Sequence, residues 1–227
     1  FTTKKSAKRS DVWRKFLELR AAGKEPVLLD TAVLAGERSL IFVPDKRQEN
    51  GQEKVRDSWV NPRIQPEEAR AWVGFHTYDQ GLEWMGIESR QTPRLPKSWG
   101  RFCSKVYEFE VATEDGAEFM AELESSARTD IAIGEVTSGI TKQEYLEALA
   151  SIKKALRNGE TYQVNFAQEL RADFSGDPFA FYAAMFNANP SAMCFLLKVA
   201  GMAKAMVANH GRFVVIRRSG FFHCEMV

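Results

Sequence analysis

Residues Ser138 to Asn165 read SGITKQEYLEALASIKKALRNGETYQVN, and this stretch decides the fold class. Thr141 can cap a helix, and Glu144 three residues later completes a capping box that satisfies two otherwise orphaned backbone N–H groups. Tyr145, Leu149, Ile152 and Leu156 recur at spacings of four, three and four, which places them on one helical face. Lys153, Lys154 and Arg157 lie toward the end where the helix dipole favours positive charge. Asn158-Gly159 offers a left-handed stop. From Thr161 to Phe166 the period drops to two, with Tyr162, Val164 and Phe166 facing one way and Gln163 and Asn165 the other. That pattern predicts a strand directly after the helix.

Working outward, Asp11 to Ala22 carries Val12, Phe16 and Leu19 on one side and is closed by Gly23, so a second amphipathic helix is expected. Pro26 to Thr31 reads as a buried strand leading to a turn, and Gly36 to Val43 as its partner. Asp45 to Glu53 is polar throughout and reads as a loop. Ala117 to Ala127 reads as a helix with soft ends, and Thr129 to Gly139 as a linker. Asp177-Pro178 is a strong helix start, because Asp caps and a first-turn Pro loses no bond. Three strands are expected over 193–199, 202–208 and 213–218. Helices interleaved with short alternating strands give an α+β chain with antiparallel sheets and packed helices.

Composition narrows the function classes. Apolar residues make up 44% and charged residues 27% of 227, an ordinary balance for a globular protein with a real core. A net charge of +1 gives no electrostatic case for nucleic acid or for an anionic membrane surface as partner. Lys4, Lys5, Lys8 and Arg9 form a small basic cluster that reads as solvated and mobile. No apolar run approaches the roughly 18–20 residues that span a bilayer. Cys103, Cys194 and Cys224 are widely spaced and odd in number, which fits reduced thiols in a cytoplasmic protein. His76 lies between Phe75 and Tyr78 with no nucleophile or acid nearby in sequence, so it reads as a packed or surface histidine. Asp79, Glu83, Glu88, Glu108 and Glu110 show no spacing that converges carboxylates, and they read as solvated acids.

Four segments together resemble the chorismate-utilising enzymes. Gly159-Glu160 and Tyr162 to Asn165 resemble the family's "AGExYQVN" segment, in the spelling of the para-aminobenzoate (aminodeoxychorismate synthase component I) branch rather than of anthranilate synthase component I. Leu28 to Thr31 with Gly36 to Phe42 resembles the opening "LLES…GRYSFI" hairpin. Ala71 to Asp79 resembles the family's "GWIGYLSYE" strand, which implies Thr92 to Pro96 as the following loop and Trp99 to Phe109 as the next strand, and Asn189 to Met193 resembles "NPSPYMF". These matches stand in the family's order and imply residues 1–130 as the N-terminal region and 131–227 as the start of the chorismate-binding domain. The resemblance implies a tryptophan-type pocket of Thr31, Arg38, Ser39, Pro190 and Ser191. It implies chorismate as substrate, L-tryptophan as a ligand, a glutamine amidotransferase (glutaminase) partner that delivers ammonia, and Mg²⁺ in the full enzyme.

The chemistry implied by the family does not carry over residue by residue. Where the family has "SPERF", this chain has Ala208-Asn209-His210-Gly211-Arg212-Phe213, so Gly211 stands in the place of Glu, and glycine can neither ligate a metal nor move a proton. Glu225-Met226-Val227 stands where "PIKGT" would begin, before its lysine. No catalytic and no metal-binding residue is therefore expected in this chain, which by itself should be inactive.

Overall fold

A computed structural model describes residues 2–30, 38–44, 71–88, 97–111, 131–188, 194–197, 205–209, 212–217 and 220–226. Four helices are described, α1 (Arg9–Ala21), α2 (Tyr78–Trp84), α3 (Lys142–Arg157) and α4 (Pro178–Ala188). The strands are β1 (Thr2–Ala7), β2 (Val27–Asp30), β3 (Arg38–Pro44), β4 (Ala71–His76), β5 (Ser98–Val111), β6 (Ala132–Ile133) and β7 (Thr137–Ser138). They continue with β8 (Ala167–Ala172), β9 (Phe174–Ser175), β10 (Cys194–Leu197), β11 (Ala205–Asn209), β12 (Arg212–Arg217) and β13 (Gly220–Met226). Among the described residues, an 11-stranded sheet runs in the order β1-β5-β3-β2-β10-β11-β12-β13-β8-β7, with β4 added on β5. The α+β class expected from the sequence holds. Strands from both sides of residue 130 lie in this one sheet.

Nearly every pairing is antiparallel, and the exception is instructive. β1 pairs parallel with β5, setting Thr2 opposite Tyr107 and Lys4 opposite Phe109. The basic N-terminal segment is thus a sheet edge rather than a solvated tail. Lysines suit such an edge, because charge discourages pairing with another chain.

The alternating residues of the hairpin separate two apolar clusters. Val27 pairs with Phe42 and Leu28 with Ile41 across β2 and β3. Leu28 and Ile41 face the main core with Val12, Trp13, Phe16 and Leu19 of α1 and Phe179, Tyr182, Ala183 and Phe186 of α4. Val27 and Phe42 face the other way, toward Val73, Cys103, Val106 and Leu197. A strand can serve both clusters because successive side chains leave opposite faces. Trp13 is fully buried, and its ring meets Phe186 edge-on at 5.3 Å and Phe179 at 6.0 Å. Such edge-to-face pairs add to the area each ring removes from water.

α3 forms as the sequence dictates. The Thr141 hydroxyl accepts from the Glu144 backbone N–H at 3.2 Å, and the Glu144 carboxylate accepts from the Thr141 N–H at 2.7 Å. At the other end Gly159, at φ +73°, lets its own N–H reach Leu156 O and the Glu160 N–H reach Ala155 O, which satisfies two terminal carbonyls. α4 starts on Asp177, whose carboxylate accepts from the Phe179 N–H at 3.2 Å.

Several sequence expectations are corrected. The strand expected over 161–166 does not form: the chain is irregular there, Tyr162 is 94% exposed, and β8 begins at Ala167. A period of two is not enough, because a strand also needs a backbone to pair with. The ladder with β13 starts at Ala167 opposite Met226, and β7 meets β8 only at Arg171 and Leu170. The linker expected over 129–139 contains two short strands, β6 on β9 and β7 on β8. Tyr78 and Asp79 open α2 instead of ending a strand. The loop expected over 45–53 and the helix expected over 117–127 lie outside the described residues.

Candidate functional site

The centre of the hairpin region is a buried carboxylate. Asp30 ends β2, and its side chain is fully enclosed. Oδ1 accepts from Arg9 Nη1 and from the Ser39 hydroxyl at 2.6 Å. Oδ2 accepts from the Trp13 indole N–H at 2.9 Å and from the Tyr182 hydroxyl at 3.1 Å. A buried carboxylate is tolerated only when paired and hydrogen-bonded, and here both oxygens are served. Burial, followed by the charge of Asp30, pushes the Tyr182 phenol well above its ordinary pKa, so it stays a donor. Arg9 also lies over the Phe186 ring at 4.8 Å. This corrects the sequence reading of Arg9 as one of a solvated cluster: it is buried and ion-paired.

Of the five residues expected to line a tryptophan-type pocket, two are described. Ser39 is fully buried and gives its proton to Asp30. Arg38, the next residue on β3, is exposed and pairs with Glu108 of β5 at 2.7 Å. Adjacent strand residues leave opposite faces, so the two side chains do not converge. Thr31, Pro190 and Ser191 lie outside the described residues. Beside Arg38, α1 and β5 enclose a shallow groove of about 280 Å³ lined by Asp11, Arg14, Lys15, Glu18, Tyr107, Glu108 and Phe109. Lys15 lies over the Tyr107 ring at 4.9 Å, and its pKa is raised mainly by the hydrogen bond to Glu18.

His76 is a packed histidine, as its sequence context implies. Its ring stacks on Trp72 at 5.8 Å and meets Trp84 at 5.0 Å, and Nδ1 lies 2.8 Å from the Ser98 hydroxyl. Ser98 donates to Gln80 Oε1 at 2.9 Å. The Ser98 hydroxyl thus lies between the imidazole and Gln80, tying β4 and the start of β5 to α2.

Two of the five acids singled out from the sequence are held in separate ion pairs. Glu83 pairs with Lys97 at 2.7 Å, and Glu108 with Arg38. Among the described residues no three His, Cys, Asp or Glu side chains come together as a metal site. Arg212 and Phe213, which resemble the end of the family's "SPERF" motif, open β12 opposite Glu225 and Cys224 of β13. Cys103 and Cys194 are buried free thiols. No described helix is long and apolar enough to cross a membrane.

Sequence reasoning missed the Asp30 cluster. A charged residue closing the apolar run Val27-Leu28-Leu29 was the available signal, but nothing in the linear pattern ties it to Arg9, Trp13 or Tyr182.

Comparison with known proteins agrees with this architecture. Anthranilate synthase component 1 of Lactococcus lactis subsp. lactis (strain IL1403) is 30% identical over 83 residues, covering 34% of this chain and 18% of that protein. The protein of the same name from Acinetobacter calcoaceticus is 35% identical over 57 residues, covering 25% of this chain and 12% of its own length. That from Acetivibrio thermocellus is 33% identical over 66 residues, covering 29% and 13%. In each case the matched stretch spans less than a fifth of the relative. The chorismate binding enzyme family matches residues 36–222, well over half of the sequence, and the chain belongs to that family.

Proposed function

We propose that this chain is the pocket-bearing part of a chorismate aminase of the aminodeoxychorismate synthase component I type, serving para-aminobenzoate formation. In the full enzyme, ammonia from a glutaminase partner replaces the C4 hydroxyl of chorismate, which leaves as water. Mg²⁺ would assist that departure, held by residues other than those described. The observation that carries the reading is spatial: Ser39, an expected pocket residue on β3, and Tyr182 of α4, the helix that precedes the expected wall at 190–191, both donate to Asp30. The spelling Tyr162-Gln163-Val164-Asn165 supports the para-aminobenzoate branch. Reduced Cys103 and Cys194 fit a cytoplasmic setting.

A second reading, anthranilate synthase component I, is favoured by the names of the three relatives. A non-catalytic module binding an amino acid or the glutaminase is the reading from a different class. Incubation of the chain with chorismate, ammonium and Mg²⁺, followed by mass spectrometry, tests the siting of the chemistry. Unchanged chorismate is expected, and turnover by this chain alone would overturn it. Where the sequence is expressed within a longer reading frame, the product separates the branches: 4-amino-4-deoxychorismate for the first, anthranilate for the second. Calorimetry with L-tryptophan tests the pocket, and no heat at millimolar ligand would sink it.

A further inference from the structure

Asp30 draws donors from three other elements onto one enclosed carboxylate: Arg9 and Trp13 from α1, Ser39 from β3 and Tyr182 from α4. An apolar residue of similar size would serve the core at least as well, because a buried ion pair seldom adds net stability over a well-packed hydrophobic substitute. What a carboxylate does add is direction. Each oxygen accepts along its lone pairs, so the four donors are fixed in angle as well as in distance. Apolar contacts between α1, α4 and the sheet are non-directional. The carboxylate adds an angular constraint to them.

We propose that Asp30 is the positioning residue for β3, setting the angle at which Arg38 and Ser39 are presented, with α4 held to the same point through Tyr182. The significance of that placement for ligand binding rests on the tryptophan-type pocket proposed above; the placement itself does not. Ser39 acts here through Asp30, as part of the wall's support, while Arg38 on the opposite side of the strand lies exposed and paired with Glu108.

The test compares the 227-residue chain with Asp30→Asn, Tyr182→Phe and Phe181→Leu. The last removes core volume from α4 without touching the carboxylate. Native-state amide exchange is followed by mass spectrometry at matched distance from the melting temperature. Asp30→Asn is expected to speed exchange of β3 and of the Tyr182 turn of α4 by about tenfold while leaving α3 unchanged, because local opening is reported segment by segment. Tyr182→Phe, which keeps the ring and drops one donor, moves the same segments by about threefold and covers the case in which Asp30→Asn does not fold. Phe181→Leu leaves β3 within about twofold. Equal acceleration everywhere, or the same pattern for Phe181→Leu as for Asp30→Asn, would overturn the proposal.

L-Tryptophan titration of the same proteins supplies the functional arm. Affinity is expected to fall about tenfold in Asp30→Asn and to stay within about twofold in Phe181→Leu, a tenfold change being about 1.4 kcal/mol. If Asp30→Asn binds as tightly as the parent, the positioning role is wrong. If the parent gives no heat, the pocket reading fails, and the exchange pattern alone decides whether Asp30 positions β3.

Discussion

The Ser39 hydroxyl donates to Asp30 Oδ1 at 2.6 Å across the β2–β3 hairpin, with Ser39 fully buried. The bond joins residues nine apart in sequence and closes one side of a carboxylate that is out of reach of water. Removing a donor from such a group leaves part of its desolvation uncompensated. Ser39→Ala should therefore lower unfolding free energy by about 1–3 kcal/mol, the range for a charged acceptor left short of a partner. Urea unfolding should show the midpoint fall with an unchanged slope; an unchanged midpoint would mean that the hydroxyl is replaceable by other donors around Asp30.

The two ends of α3 make a prediction about pH. Hydrogen bonds from the Thr141 backbone and then from its hydroxyl hold the Glu144 carboxylate below its ordinary pKa. A group whose folded pKa is depressed contributes stability that is fully present above its unfolded value and is lost as pH falls through the folded one. Amide exchange at the start of α3 should thus be pH-independent, after correction for intrinsic rates, down to about 4.3. It should then accelerate as Glu144 is protonated. Thr141→Gly should move the same amides by only a few tenths of a kcal/mol, whereas Thr141→Ala should cost about 1 kcal/mol locally.

How much of this was legible follows from where the information sits. α3, its cap and its glycine stop were legible because every determinant lies within five residues of the bond it makes. The β2–β3 hairpin was legible because two short apolar runs, Val27 to Leu29 and Leu40 to Val43, stand on either side of a turn, the pattern of strands covered on both faces. The failed strand at Thr161 to Phe166 shares that period, yet pairing depends on a partner backbone that local sequence does not encode. β1 was missed for the same reason, since its partner β5 lies about a hundred residues on. The Asp30 cluster spans Arg9 to Tyr182, and only the folded chain brings those residues to one point. Expected pocket residues Arg38 and Ser39 were placed on the right strand, but alternation sends them to opposite sides.

The amphipathic face of α3 is only partly covered. Tyr145, Leu149 and Ile152 are only half-buried, and Leu146 and Leu156 are exposed. Tyr145 does meet Phe166 at 5.5 Å, but no residue of the helix is fully enclosed. The cost of truncating a side chain grows with the apolar surface it had buried and with the cavity left behind. Leu149→Ala should therefore cost this chain about 1 kcal/mol or less, against about 3–5 kcal/mol for Phe179→Ala in the main core. Parallel melts of the two variants check the contrast. A loss at Leu149 as large as at Phe179 would mean that the face is covered more fully than the described residues show.

The packing of Trp72 gives the most local test. Its indole lies across Gly74 of the same strand and Gly100 of β5, which face each other in the β4–β5 ladder. A Cβ at Gly100 would fall within the indole ring itself, and one at Gly74 would meet the Trp99 carbonyl and the same ring. The indole Nε1 is buried with no hydrogen-bond partner among the described residues, so contact with the glycine backbone holds the ring there rather than a polar bond. His76 stacks on the outer side of the same indole at an interplanar angle of 15°. Gly100→Ala must displace the ring, exposing apolar area and unstacking His76, at a cost of about 1–3 kcal/mol by the usual penalty for overpacking. Because Trp72 moves from a half-buried to a wetter setting, its fluorescence should shift to longer wavelength before any unfolding. Trp72→Phe in the Gly100→Ala background should recover part of the stability by vacating the slot. A red shift with no recovery in the double variant would place the strain in the strand backbone instead of at the indole.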